Sequence, residues 1–307
     1  WAFSQNGVKH IQVQHHHAHI AACMIDNNLT DKVLGVSWDG SGYGLDGTIW
    51  GGEFLIADYN GFERFCTFRK FKLLGGEQAV REPRRALFSI LYEIYGEDIL
   101  KQGSGVRGLP PQALSGGQGA ELANLEDIFT GAERTLFGQM LKKGFNSPYT
   151  TSAGRVFDAV SSLLGICHNA AYEGQVAMML EANAGGRTGL SYPIEVKSHD
   201  GGMNIFDWGP MFKSMAEDVR KNVSITTISQ NFHETLAQLI LHVAKMARQE
   251  KGLNTVCLSG GVFQNKVLTE RAVCLLKDSS FNVFTHNRLS PNDSGVSLGQ
   301  LVIGGLQ

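Results

Sequence analysis

The segment His15-His16-His17-Ala18-His19 concentrates the side chain most often used to bind metal ions. On a helix, residues four apart share a face, so His15 and His19 present two imidazoles to one ion. His16 and His19, three apart, form a less favoured pair, and Cys23 shares a face with His19 among apolar neighbours. A solvated polar helix start is the plain alternative. A tag remnant does not fit, because Ala18 interrupts the cluster and patterned segments flank it. Two imidazoles leave a tetrahedral or octahedral site incomplete, and carboxylates are the natural supply. Asp39 stands at the end of an apolar strand and Asp293 at the start of a helix. Their ordinary readings are an Asp-Gly turn and a helix N-cap, and the residues alone do not choose.

Glycine loops are the second chemical feature. Asp39-Gly40-Ser41-Gly42-Tyr43-Gly44 lacks both the P-loop Lys-Ser/Thr and a G-x-G-x-x-G fingerprint, which argues against a P-loop kinase and a Rossmann dehydrogenase. Backbone N–H groups at Gly40, Ser41 and Gly42 remain candidates for cradling phosphate, with a simple hairpin turn as the alternative. Ser259-Gly260-Gly261 follows a buried strand and precedes a helix, a better place for an anion or adenosine.

These features need elements to position them. The 307 residues suggest about two domains. Hydrophobic residues at 43% suffice for a core, charged residues at 18% are sparse, and the 37 glycines exceed the usual share of roughly 7%. With 27 basic against 29 acidic residues and a net charge of −2, no basic nucleic-acid face is expected. No apolar run is long enough for a membrane span. Five cysteines without a C-x-x-C pair suggest a reduced, cytoplasmic protein, and none is assigned a catalytic role. The chain opens on Trp1, as expected of a segment from within a longer protein. Patterning predicts strands over 8–14, 33–38, 49–56, 61–68, 255–258 and 281–285. It predicts helices over 15–27, 84–95, 156–164, 172–183, 211–221 and 232–251, a further helix from Asp293, and a Gly/Pro-rich insertion over 103–121. Strands followed by alternating helices and strands indicate an α/β or α+β fold with a ligand at the strand ends.

Taken together, several segments resemble one known family. They are Val13-Gln14-His15-His16-His17-Ala18-His19-Ile20, Trp38-Asp39-Gly40-Ser41-Gly42-Tyr43-Gly44, and Asp46-Gly47-Thr48-Ile49-Trp50-Gly51-Gly52-Glu53-Phe54. Arg81-Glu82-Pro83, Gly154-Arg155-Val156-Phe157-Asp158-Ala159-Val160, Leu258-Ser259-Gly260-Gly261-Val262-Phe263-Gln264-Asn265 and Asn292-Asp293-Ser294-Gly295 continue the match in order. The family is that of the hydrogenase-maturation carbamoyltransferases, HypF, in their C-terminal Kae1-like domain. The resemblance implies an α/β fold of the actin-like ATPase type with its first lobe incomplete. Residues 1–32 would be a remnant of that lobe bearing the metal-binding helix, and 33–307 the second lobe. It places one divalent metal, zinc or iron, on His15, His19, Asp39 and Asp293. It places adenine nucleotide near Asp158, Gly174, Gly260, Gly261 and Asn265. Arg155 stands where tRNA-modifying relatives have Glu.

The implied activity is carbamoyl transfer from carbamoyl-adenylate to the C-terminal cysteine of a partner, HypE. The adenylate would be formed from ATP in a YrdC-like domain that this sequence lacks. Arg81 is a candidate for stabilising developing charge, with an ordinary surface arginine as its alternative. Other readings are tRNA threonylcarbamoyl transfer, O-carbamoylation of a small molecule, and a non-catalytic actin-like nucleotide-binding module.

Overall fold

The computed structural model describes residues 10–100, 125–185, 190–198 and 202–306. The expected insertion over 103–121 falls wholly outside the described residues. Helix α1 (His15–Asp26) opens the fold, followed by a meander of β1 (Val33–Tyr43), β2 (Ile49–Asp58) and β3 (Gly61–Phe68). Then come β4 (Phe71–Lys72), α2 (Gln78–Arg81), α3 (Pro83–Tyr95), α4 (Leu125–Ile128), α5 (Gly131–Lys143) and β5 (Tyr149–Thr150). Helices α6 (Ala153–Leu163) and α7 (Gln175–Asn183) lead to the hairpin β6 (Glu195–Ser198) and β7 (Asn204–Asp207). The chain closes with α8 (Gly209–Arg220), α9 (Ile225–Lys251), β8 (Thr255–Ser259), α10 (Lys266–Asp278), β9 (Asn282–Phe284) and α11 (Val296–Gly305).

One mixed sheet runs β6-β7-β3-β2-β1-β8-β9, with the short pair β4–β5 joined to β2. Strand β1 is central, antiparallel to β2 and parallel to β8. Its alternation divides the core. Leu34, Val36 and Trp38 enter the large cluster shared with Phe157 of α6 and Phe232, Leu236 and Ile240 of α9. Val33, with Leu55, Ala57 and Cys257, faces Ile20, Cys23 and Met24 of α1 in a smaller cluster. The meander, the parallel partner and the long amphipathic α9 are as the patterning predicts. Helix α9 starts earlier than its apolar stripe, at Ile225, where Ser224 accepts from Thr227 N.

Three expectations change. The described part of the segment expected as a strand over 8–14 is not one, because Gln14 instead serves as the N-cap of α1. Strand β1 runs past Trp38 through the glycines to Tyr43, since β2 continues to pair with it at Gly42 and Tyr43. Helix α5 went unpredicted although Thr130 and Glu133 form a reciprocal capping box.

Helix α1 lies against the sheet on one side and α11 on the other. The approach to α11 is so close that a Cβ at Gly299 would stand 1.9 Å from Ala18 O. A Gly299→Ala variant is therefore expected to lose about 2–3 kcal/mol of stability, read as a lower urea midpoint, because backbone must shift to admit one methyl.

Candidate metal centre

The centre assembles where α1 crosses the end of β1. Gln14 Oε1 accepts from His17 N, starting the helix, and Gln14 Nε2 donates to Tyr43 O at 3.1 Å. One side chain thus registers the histidines against the far end of β1. On β1, Asp39 follows Val33 at even spacing and shares the face turned to α1. The ladder to β2 slips between Trp38 and Gly42, a bulge that opens the strand at Asp39–Ser41. Gly42 lets the helix come close, since a Cβ there would lie 2.5 Å from the His16 ring and 2.7 Å from that of His15.

Four ligand atoms converge, one each from His15, His19, Asp39 and Asp293, all within 4.8 Å of one another. His19 Nε2 lies 3.2 Å from His15 Nε2, 3.1 Å from Asp39 Oδ2 and 3.3 Å from Asp293 Oδ1. His15 Nε2 lies 3.4 Å from Asp39 Oδ2 and 3.6 Å from Asp293 Oδ1. Ligands at roughly 2.1 Å from a tetrahedral ion sit about 3.4 Å apart, so the spacing fits a divalent ion. The charge fits as well, because two carboxylates and two neutral imidazoles balance it. His19 is 1% exposed and Asp293 72%, so the centre is rooted in protein and open toward solvent.

Electrostatics inside the cluster agree with this. Burial opposes ionisation of Asp39, but the His15 and His19 rings and the Gly40 N–H outweigh it and hold the carboxyl well below the usual range. Burial would lower His19, yet its bonds to Asp293 and Asp39 raise it. His16 is different: burial pushes it well below the ordinary imidazole value, and its Nδ1 meets Gln14 Nε2. It is a packing residue beside Trp50. His17 packs its ring at a tilt beside Phe62 and meets Asp58 O at 2.6 Å.

The residues expected around a nucleotide are distributed less tightly. Gly40 N donates to Asp39 Oδ1, and Gly40, Ser41 and Gly42 form the bulged end of β1 beside the ligands. Gly261 passes so near that a Cβ would stand 3.0 Å from Asp39 Oδ1. Gly260 has φ of 100° and packs on Trp38, and its N–H is spent on Pro291 O. Further on, the start of α10 is already satisfied: Glu181 Oε1 accepts from Lys266 N and Val267 N. Asn265 Oδ1 caps Leu268 N, and its Nδ2 meets His233 Nε2. Asp158 is buried on α6 beside Arg155, and burial pushes its carboxyl up to about 6 against the pull of that guanidinium. Gly174 sits exposed at the N-cap of α7 with φ of 79°. Arg81 is exposed at the end of α2, its carbonyl accepting from Ala170 N.

Two residues escaped the sequence reading. Gln14 carried no signal, because glutamine is not a favoured N-cap. Ser152 did carry one, a serine immediately before an amphipathic helix. Its Oγ lies 2.7 Å from Gly40 O and 3.0 Å from Asp39 O, bolting α6 to the ligand strand.

Comparison with known proteins places the chain in a family. The family model described as "Carbamoyltransferase, Kae1-like Domain, second subdomain" matches residues 35–300, and the "HypF Kae1-like domain" matches residues 1–26. The chain belongs to the HypF carbamoyltransferase family. It is 33% identical to the carbamoyltransferase HypF of Synechocystis, over 94% of this chain and 36% of that protein. It is 35% identical to the probable carbamoyltransferase HypF of Methanocaldococcus jannaschii, over 96% of this chain and 35% of that protein. The chain thus spans about a third of the length of these relatives. Among solved structures, a full-length HypF in a phosphate- and nucleotide-bound form superposes with a TM-score of 0.87 at 33% identity, covering 99% of this chain and 44% of that one. HypF of T. kodakarensis superposes with a TM-score of 0.78, covering 96% of this chain and 37% of that one. The α/β fold of the HypF Kae1-like domain is therefore that of this chain. No helix among the described residues is long and apolar enough to cross a membrane.

Two predictions follow from the geometry. His19→Ala and Asp39→Asn are each expected to abolish stoichiometric zinc or iron, read by elemental mass spectrometry. Zinc affinity in the unaltered chain should rise from pH 6 to pH 8, because His19 must give up its proton. Separately, Asn265 fixes His233 as a neutral acceptor, and burial depresses it from 6.5 to about 4. A depressed base is neutral when folded and protonates first when unfolded, so stability is full above about pH 6.5 and falls toward pH 4, by about 3 kcal/mol. NMR should find that ring still neutral at pH 5 in the folded protein.

Proposed function

We propose that this domain performs carbamoyl transfer from carbamoyl-adenylate to the thiolate of a C-terminal cysteine on a partner, HypE, in maturation of nickel–iron hydrogenase. The observation that carries the reading is the convergence of His15, His19, Asp39 and Asp293 beside the bulged glycines of β1 in a chain of the HypF family. In this scheme the acceptor sulfur attacks the carbamoyl carbon. A C–S bond forms, the C–O bond to the adenylyl phosphate breaks, and AMP leaves with the electron pair. ATP and carbamoyl phosphate are consumed upstream, in a YrdC-like domain of the longer polypeptide.

His15, His19, Asp39 and Asp293 would hold a divalent zinc or iron ion. Such an ion supplies Lewis-acid polarisation of a carbonyl or phosphoryl oxygen. Asp39 is kept ionised by its imidazole neighbours and His19 is fixed by two carboxylates, so the donors are preorganised. The acceptor thiolate comes from outside. Cys23, Cys66, Cys167 and Cys257 are buried in this fold. Burial raises the Cys66 and Cys167 thiols, and contact with Cys23 together with burial raises Cys257. Cys274 lies on α10, 3.5 Å from the Asp278 carboxylate.

The test supplies synthetic carbamoyl-adenylate and purified HypE to the metal-loaded chain and follows carbamoylation of the terminal cysteine by mass spectrometry. Transfer above background is expected, falling by roughly a hundredfold or more in His19→Ala. Equal transfer by His19→Ala would remove the metal centre from the reaction. Modification of tRNA from threonylcarbamoyl-adenylate, with HypE untouched, would replace the proposed acceptor.

A further inference from the structure

Arg155, on the first turn of α6, is a charged side chain with more donors than partners. It is only 9% exposed, and its Nε and Nη1 have no hydrogen-bond acceptor. Nη1 lies 2.8 Å from Asp158 Oδ2, but the contact is charge against charge without hydrogen-bond direction, and Oδ2 is left equally unsatisfied. A guanidinium stays charged under all ordinary conditions, and buried unpaired donors are costly to keep. Such a group is best accounted for by an anion that arrives from outside.

The surroundings say where that anion would sit. A Cβ built on Gly40 would have a single neighbour within 4 Å, Arg155 Nη2 at 3.6 Å. The missing side chain therefore leaves open space at Gly40, bounded by Nη2, the remaining nitrogen of the guanidinium fork. The gap adjoins the ligand Asp39, and its geometry is fixed by two contacts. Ser152 Oγ bonds the carbonyls of Asp39 and Gly40, and Gly154 packs so near that a Cβ would stand 2.9 Å from Gly40 Cα. Arg155 N itself donates to Ser152 Oγ, so the cap, the arginine and the ligand strand move as one unit. A planar fork of donors suits the paired oxygens of a phosphate group better than any single-point cation.

We propose that Arg155 binds the phosphate-ester group of the adenylyl ligand in the gap over Gly40, with Asp158 acting as the residue that positions it. The inference deepens the function proposed above and rests on its adenylyl ligand. Arg155 would hold the phosphate beside the metal ligands and stabilise the negative charge that AMP carries away.

The experiment compares AMP with adenosine, since the two differ only in the phosphate. Both are titrated calorimetrically into the metal-loaded chain and into its Arg155→Met and Arg155→Lys variants, with metal content and melting checked in each. The unaltered chain is expected to favour AMP by about tenfold to a hundredfold. Arg155→Met should bring that ratio close to one while leaving adenosine binding and metal content in place, and Arg155→Lys should fall between. Should Arg155→Met fail to fold around an unpaired Asp158, Arg155→Met/Asp158→Asn removes both charges and is read by the same ratio. An unchanged ratio in the Met variant overturns the role of Arg155 and leaves the carbamoyl-adenylate reading standing. Equal loss of AMP and adenosine makes Arg155 merely structural and overturns the proposal as well. Absence of AMP binding in the unaltered chain overturns both readings together.

Discussion

Asp39 meets the two imidazoles because a strand turns alternate residues to opposite faces, and β1 keeps that alternation from its buried start to its bulged end. Leu34, Val36 and Trp38 anchor one face in the large core beneath α6 and α9. The opposite face, which starts at Val33 and ends at Asp39, is left to α1. A shift of one residue in that register would send Asp39 into the large core and Trp38 toward the histidines. The core packing of Trp38 against Phe54, Phe68 and Phe263 therefore also holds a candidate metal ligand in place.

The second dependence is on how closely α1 can lie. It is wedged between the sheet and α11, and its start is tied to the end of β1 through Gln14. Small residues make the wedge possible: Ala18 faces Gly299, and Gly42 faces the rings of His15 and His16. Helix α11 also follows directly on the turn that carries Asp293, so the packing of Gly299 against Ala18 brings the fourth ligand to the first two. The candidate metal centre and the helix packing are thus one constraint seen from two sides.

Around this centre the polar groups divide into those that are spent and those that are not. The start of α10 is occupied by Glu181 and Asn265, and Gly260 N–H by Pro291. Glu53, although wholly buried, is met by Arg64, Thr67 and Thr151 and braces β2 against β3. His16 Nε2, Ser37 Oγ and Trp38 Nε1 lack hydrogen-bond partners, and among the charged groups beside the bulge Arg155 and Asp158 leave donors and an acceptor unsatisfied.

The helical spacing of His15 and His19 was legible in the residues alone, as were the apolar strands and the amphipathic stripe of α9, because each depends on neighbours three or four positions away at most. That Asp39 and Asp293 would join the two imidazoles was expected only from the family resemblance, since locally each reads equally well as a turn or cap residue. Sequence signals also made Ser259-Gly260-Gly261 an anion candidate, but did not show that the Gly260 N–H would be met by Pro291 O from a distant turn. Gln14 as a cap, the extension of β1 to Tyr43, and the bond from Ser152 to Asp39 and Gly40 were decided by tertiary structure. The reason is common to all of them. A local pattern specifies which face a side chain takes, but which groups from distant segments arrive at that face depends on how the sheet and helices pack, and that no short window of sequence contains.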